Sequence, residues 1–335
     1  MSDGSDDTLP VVRAADLDDA RDVPRWLVDR LWARAGVGIL GGAPKCCKSW
    51  LALDIALSVA SNSPCLDTFA VHDPGLVMLY MAEDAAAVVK SRLLGLCHHR
   101  GLALDALPID VITAASVRID RDRDQARLAR TVRAAAPRLL VLDPFVRLHR
   151  VDENDAGQVA AVLGYLRALQ RELDVAVLVV HHARKNGSSG GQAGQSLRGS
   201  GDLHAWGDSN LYLRRQQAAL TLTIEHRAAA PPDPLALNLA GSDLVGDTHL
   251  TLVDGAAVAP EQGPSDLDQA VFSALAAARE PLARTVLRDL LRVRNERLGQ
   301  ALARLAARGS IARVGERWAI PIPTSMQTRE RNTET

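Results

Sequence analysis

An α/β fold built on a mostly parallel sheet is predicted by three features of this 335-residue chain. From residue 36 to residue 180, short apolar runs alternate with stretches of helical periodicity, the pattern of strand–helix–strand units. A loop bearing glycine and lysine, residues 42–49, joins the first of those runs to the first helical stretch. Hydrophobic residues make up 47% of the chain and aromatics only 3%, so the core must be Ala, Leu and Val, which suits helices packed on an aliphatic sheet.

The elements follow in order. Residues 1–22 are polar and acidic (Asp3, Asp6, Asp7) and read as a mobile lead-in. Trp26, Leu27, Leu31 and Trp32 form an apolar group that either covers a sheet edge or pocket rim or packs in the core. Strands are expected at 37–40, 76–81, 109–113, 139–142 and 176–180, with helices over 49–61, 85–99, 124–135 and 158–173. Residues 185–196 are Gly- and Ser-rich and read as a mobile loop. Meander strands are expected at 210–213, 220–225, 235–239 and 249–253. The expected organisation is a lead-in (1–22), a large domain (23–254), a linker with Pro260 and Pro264 (255–265), a small domain (266–320) and a polar tail (321–335).

A net charge of −1 excludes a chain coated in basic residues, so any nucleic-acid binding must be local. The four cysteines (Cys46, Cys47, Cys65, Cys97) have no CxxC spacing and read as reduced thiols. No basic-then-apolar leader is present and no apolar run reaches bilayer length, so a cytoplasmic protein without a membrane partner is expected.

The chemistry centres on Gly42, Ala43, Pro44, Lys45, Cys46, Cys47, Lys48, Ser49 and the adjoining Trp50. A loop after a strand and before a helix offers main-chain N–H groups and a helix N-terminus to phosphate oxygens. Lys48 is placed to reach the β- and γ-phosphates of ATP and Ser49 to ligate Mg²⁺. Cys47 stands where such loops carry glycine, and its side chain crowds the phosphates unless the backbone suits an L-residue. Asp143, closing a buried run, fits an acid that holds Mg²⁺ through water. Glu83, in the strand-end pair Glu83–Asp84, fits the base that activates water, with Asp84 as cap of the next helix. His181 or His182 fits a γ-phosphate sensor, His181 being the first choice.

Gly-Ala-Pro-Lys-x-x-Lys-Ser-Trp-Leu-Ala-Leu, Tyr-Met-Ala-Glu-Asp, Leu-Asp-Pro-Phe-x-Arg-Leu-His, Asp-Glu-Asn-Asp-Ala, Val-His-His-Ala-Arg-Lys and Arg-Gly-Ser occur in that order. Together they resemble the RepA-type hexameric replicative helicases of plasmids and, more broadly, RecA/DnaB-like ATPases, over residues 26–225. The resemblance implies a RecA-like P-loop fold, ATP and Mg²⁺, a homo-oligomer such as a hexamer, and single-stranded DNA as partner. Arg184 and Lys185 would then begin a DNA-facing loop. The family's arginine finger would fall near Leu211, which cannot serve. Arg214 or Arg215 would act instead from a neighbouring subunit, with Arg198 as a further candidate. Asp152-Glu-Asn-Asp155 matches a family segment, and its residues alone suggest an acidic turn or helix cap.

In the small domain, helices are expected over 266–278, 284–291 and 294–308, with Leu267, Val271, Phe272 and Leu275 of the first turned inward. A hairpin follows over 311–320, and three helices plus a hairpin resemble a winged helix. From Arg279 to Arg317 there are ten arginines against four acids. Arg294, Arg297, Arg304 and Arg308 on the third helix and Arg313 and Arg317 on the wing suit duplex phosphates, or alternatively a protein partner. Two functions compete: an ATP-hydrolysing DNA motor of a plasmid, phage or mobile element, and an ATP-gated DNA-binding regulator or helicase loader with slow turnover. A small-molecule kinase leaves the winged helix unexplained.

Overall fold

The computed structural model describes residues 9, 11–16, 23–182, 201–216, 219–241, 247–257, 266–278, 280–291, 293, 295–307, 309–315 and 317–320. The chain divides into two compact units that meet in sequence at Val258 and Ala259.

The larger unit opens with a two-stranded antiparallel ribbon, β1 (Trp26–Val28) and β2 (Trp32–Ala33). Its Leu27, Leu31 and Trp32 are fully buried, so the apolar group of the sequence belongs to the core. The chain then runs β3 (Val37–Gly42), α1 (Lys48–Ser61), β4 (Val77–Met81), α2 (Ala86–Arg100), β5 (Ile109–Val111), α3 (Asp122–Ala135), β6 (Leu139–Asp143), α4 (Ala156–Leu173) and β7 (Ala176–His182). It continues through α5 (Gly201–Trp206), β8 (Ser209–Gln216), β9 (Ala219–His226), β10 (Leu235–Ala240) and β11 (His249–Ala257). All nine strands from β3 to β11 join one sheet, in the order β11-β10-β9-β8-β3-β7-β6-β4-β5. From β8 to β5 the pairing is parallel, and β9, β10 and β11 extend it antiparallel. This is the α/β architecture on a mostly parallel sheet expected from the sequence, with β3 held centrally between β7 and β8.

Both faces of the parallel part are covered. Residues of α1 and α2 (Leu51, Ile55, Leu93, Leu96) pack with Leu178 and Val180 on one face. Residues of α3 and α4 (Leu128, Val132, Val162, Leu166) pack with Val177 and Val179 on the other. Burial on both faces explains why these strands read as unbroken apolar runs rather than as alternations. Each fully buried Leu or Val contributes about 1.5–3 kcal/mol. Helix ends follow local chemistry. Asp155 caps α4, its side chain accepting from the main-chain N–H of Gly157 and Gln158, and Gly101 closes α2 in the left-handed region. Asp84, by contrast, does not cap α2, whose N-cap is Ala85 without a side-chain bond.

The smaller unit comprises α6 (Asp266–Ala277), β12 (Leu282–Ala283), α7 (Arg284–Leu291), α8 (Asn295–Ala307), β13 (Ala312–Val314) and β14 (Arg317–Ala319). The strands form an antiparallel sheet in the order β12-β14-β13. Val271, Leu275, Leu287, Leu298, Leu302 and Leu305 make its core, with Trp318 packed against it. Phe272 is corrected: it is 39% exposed rather than inward, because Val271 and Leu275 already fill that face of α6. The two-residue β12 carries too little sequence to be anticipated. The expected linker begins later than residue 255, since β11 runs on to Ala257.

Candidate phosphate-binding site

Four elements converge at the C-terminal edge of the parallel strands, where open α/β sheets bind ligands. The cleft there has a volume of about 290 Å³ and is lined by Lys45, Cys46, Cys47, Lys48, Ser49, Trp50, Glu83, Asp84, Arg92, Asp143, Val180 and His182.

The loop between β3 and α1 is held by close backbone approach. A Cβ on Gly42 (φ +155°) would meet the Leu213 carbonyl oxygen at 2.4 Å, so only glycine lets β3 end this near β8. Cys46 is buried, and its Sγ donates to the Ala43 carbonyl at 2.8 Å and the Leu213 carbonyl at 3.5 Å; burial pushes this thiol's pKa up. Cys47, the N-cap of α1, sits at φ 63° and ψ 22°. The sequence left open whether that backbone suits an L-residue. It lies in the left-handed region that glycine prefers, which costs Cys47 about 1 kcal/mol.

Lys48 is 4% exposed, and its Nζ donates to the carbonyls of Gly42 at 3.0 Å and Ala43 at 2.8 Å. Desolvation lowers its pKa, partly opposed by Cys46 and Asp143. One helical residue on, Ser49 Oγ donates to Asp143 Oδ2 at 2.7 Å, joining positions 94 residues apart. Asp143 is 6% exposed. Burial raises its pKa to about 6, Asp84 and Glu83 push the same way, and the Ser49 bond and Lys48 oppose. A hydroxyl bonded to a buried carboxylate is a hard-oxygen donor pair, which fits Mg²⁺.

The main chain of β6 also positions the two acids after β4. Ala82 N donates to the Asp143 carbonyl at 2.7 Å, which brings Glu83 and Asp84 to the cleft wall. Glu83 Oε1 accepts from Arg147 Nε at 2.8 Å. Asp84 Oδ2 accepts from Arg92 of α2 at 2.5 Å, and the Arg92 guanidinium lies 5.7 Å from the Trp50 ring centroid. Thus Asp84 faces the cleft and is tied to α2 by its side chain, not by a cap.

The pleat of β7 separates the two candidate histidines. His182 shares the α1 face with Val180 and lines the cleft. His181, the first choice from sequence, points to the opposite face, buried against Phe145 at 5.6 Å between ring centroids. There Glu153 Oε2 lies 3.5 Å from His181 Nε2, and Glu153 Oε1 lies 4.0 Å from Nε2 of His149, whose pKa burial lowers. The segment Asp152-Glu-Asn-Asp155 therefore has divided duties. Asp152 accepts from the Asn154 main chain, Asp155 caps α4, and Glu153 reaches inward to the histidines.

Among the remaining expected residues, Leu211 is fully buried opposite Leu40. Arg215 donates to Cys47 Sγ at 3.0 Å. In the smaller unit Arg313 and Arg317 are exposed on the β13–β14 hairpin. Arg297 and Arg304 fall within α8. Arg184, Lys185, Arg198, Arg294, Arg308 and the loop 185–196 lie outside the described residues. Arg92, Arg147, His149 and Glu153 were not singled out individually by the sequence, although Arg147, His149 and Glu153 all lie inside the quoted motifs.

A family model described as AAA domain matches residues 6–188. Among solved structures, a DnaB-like replicative helicase studied for its interactions with primase is 17% identical, with a TM-score of 0.49 over 64% of this chain and 57% of that one. The RadB recombinase is also 17% identical, with a TM-score of 0.48 over 66% of this chain and 92% of that one. The chain thus spans little more than half the length of that helicase. Among the described residues no helix is long and apolar enough to cross a membrane.

Proposed function

The chain belongs to the AAA domain family, and from that premise we propose that it binds ATP with Mg²⁺ around Lys48 and Ser49, hydrolyses it, and couples the hydrolysis to work on DNA. The observation that carries this reading is the meeting of Lys48, Ser49, Asp143 and Glu83 in one cleft, from separate elements of the chain.

The protein's own groups divide the work. Main-chain N–H groups of the loop and the N-terminus of α1 receive phosphate oxygens. Lys48 exchanges its bonds to the Gly42 and Ala43 carbonyls for bonds to the β- and γ-phosphates. Ser49 and Asp143 hold Mg²⁺, which neutralises charge on the β- and γ-phosphate oxygens when bound. Glu83 takes the proton of the attacking water, and Arg147 keeps its carboxylate in place. His182 reads the γ-phosphate and passes its state to the chain that follows β7.

Coupling to DNA rests on the resemblance of the motif set to RepA-type helicases and on the basic, three-helix-plus-hairpin smaller unit, read as a winged helix. In this reading single-stranded DNA meets the loop beginning at Arg184 and Lys185. Duplex DNA, or a protein partner, meets Arg294, Arg297, Arg304, Arg308, Arg313 and Arg317. The chain assembles as a homo-oligomeric ring and serves the replication of a plasmid, phage or mobile element. A second reading, an ATP-gated regulator or loader with slow turnover, is favoured by the strained Cys47 and by the ion pair that occupies Glu83.

The steady-state ATPase rate with and without single-stranded DNA tests both. The motor reading expects DNA to raise turnover and Glu83→Gln to lower it by roughly 10²-fold or more. Equal rates for wild type and Glu83→Gln, unmoved by DNA, would favour the regulator.

A further inference from the structure

The resemblance offers Arg214 and Arg215 to the nucleotide of a neighbouring subunit. The geometry points elsewhere: we propose that Arg215 binds the polyphosphate of the ATP held by its own subunit. The inference rests on the phosphate-site reading above.

Three observations carry it. First, β8 runs parallel to β3 and pairs with it as far as Gly42 and Leu213, so the end of β8 lies directly beside the start of the phosphate loop. Second, that junction is rigid. Gly42 and the Leu213 carbonyl leave no room for a side chain, and Cys46 Sγ bridges the Ala43 and Leu213 carbonyls. Third, Arg215 is two residues beyond Leu213 and so emerges on the same face of the pleat. That face carries Leu211 and Leu213 into the core formed with α1, the helix the phosphate loop opens. Its guanidinium reaches Cys47, the residue immediately before Lys48. Arg214 emerges on the opposite face, with Tyr212.

The guanidinium now rests on the sulfur of Cys47. A thiol is a weak, uncharged acceptor. A phosphate oxygen accepts a charge-assisted bond that is roughly twice as strong as a neutral one. With ATP in the cleft, the exposed Arg215 side chain exchanges sulfur for phosphate while its backbone stays paired with Leu220 of β9. Lys48 and Arg215 then hold the same polyphosphate within one chain, and no neighbour is needed to supply this charge.

Two measurements decide the proposal. Calorimetric titration with ATP·Mg²⁺ should show Arg215→Ala weakened by about 10-fold or more, Arg215→Lys less so, with thermal melting unchanged because the side chain is exposed. An unchanged affinity for Arg215→Ala would overturn it. ATPase assays on mixtures of Arg215→Ala and Lys48→Ala chains should show no recovery, because each chain then spoils its own site. Recovery on mixing would mean the arginine serves a neighbour, and would also overturn it. A wild-type chain that takes up no ATP·Mg²⁺ would instead remove the phosphate-site reading, and this inference with it.

Discussion

Two buried aspartates flank the course of α1, one midway along it and one beside its first turn, and their surroundings could hardly differ more. Asp54, deep in α1 and 2% exposed, is fully provided for. Its Oδ1 accepts from Arg100 at 2.5 Å, and its Oδ2 accepts from the Leu66 main chain at 2.9 Å and from Cys65 Sγ at 3.1 Å. Arg100 donates in turn to Ser58 at 2.7 Å and Ser63 at 2.9 Å. Asp143, beside the N-terminal turn of α1, has one side-chain hydroxyl donor, Ser49, and two acids and the Lys48 ammonium for charged neighbours. A carboxylate buried with its counter-charge ties elements together. One that burial strips of solvent, with a single hydroxyl bond in return, resists ionising, which is how perturbed acids mark functional sites.

Breaking the Asp54–Arg100 pair has the larger expected effect. Arg100→Ala leaves the Asp54 carboxylate buried without its cation and should cost about 3–5 kcal/mol. Denaturant unfolding measures this, and a loss below about 1 kcal/mol would mean that the pair contributes no more than a surface one.

The Asp143 site should respond in the opposite direction and by less. The folded-state carboxyl of Asp143 titrates near 6, above the unfolded value of about 3.9. The folded form therefore binds that proton more tightly. This contribution to the stability of the nucleotide-free protein is complete below pH of about 4 and is lost as the pH rises through about 6. Asp143→Asn should be more stable than wild type at pH 8, by up to about 3 kcal/mol, and nearly equal to it at pH 4. Melting curves at the two pH values check the sign. A variant less stable at pH 8 would show that Asp143 is already balanced in the fold.

The same contrast explains what the sequence disclosed. The order of strands and helices was legible because parallel strands covered on both faces write apolar runs of recognisable length. The position of the 42–49 loop between β3 and α1 was legible because its spacing is a local property of the chain. The choice between His181 and His182 was not: in a run buried on both faces nothing marks which side each residue takes, and the pleat alone puts His182 in the cleft. The pairs Glu83–Arg147, Glu153–His181 and Cys47–Arg215 were hidden for a different reason. Each joins residues far apart in the chain and depends on strand order, which composition and periodicity do not encode. Arg215 was further obscured because β8 continues past its last buried residue into an exposed, basic end. The duty of Asp84 was misassigned because an acid just before a helix looks like a cap, and only the position of Arg92 shows otherwise.

The central claim is that the β3–α1 turn holds a triphosphate through main-chain N–H groups, Lys48, and a cation shared by Ser49 and Asp143. Calorimetric titration of the folded protein with ATP·Mg²⁺ tests it most directly. The expected result is saturable uptake of one nucleotide per chain that depends on Mg²⁺ and weakens by at least about 100-fold in Lys48→Ala. Well-folded wild-type protein that takes up no ATP·Mg²⁺, or a Lys48→Ala variant that binds it as tightly as wild type, would contradict it.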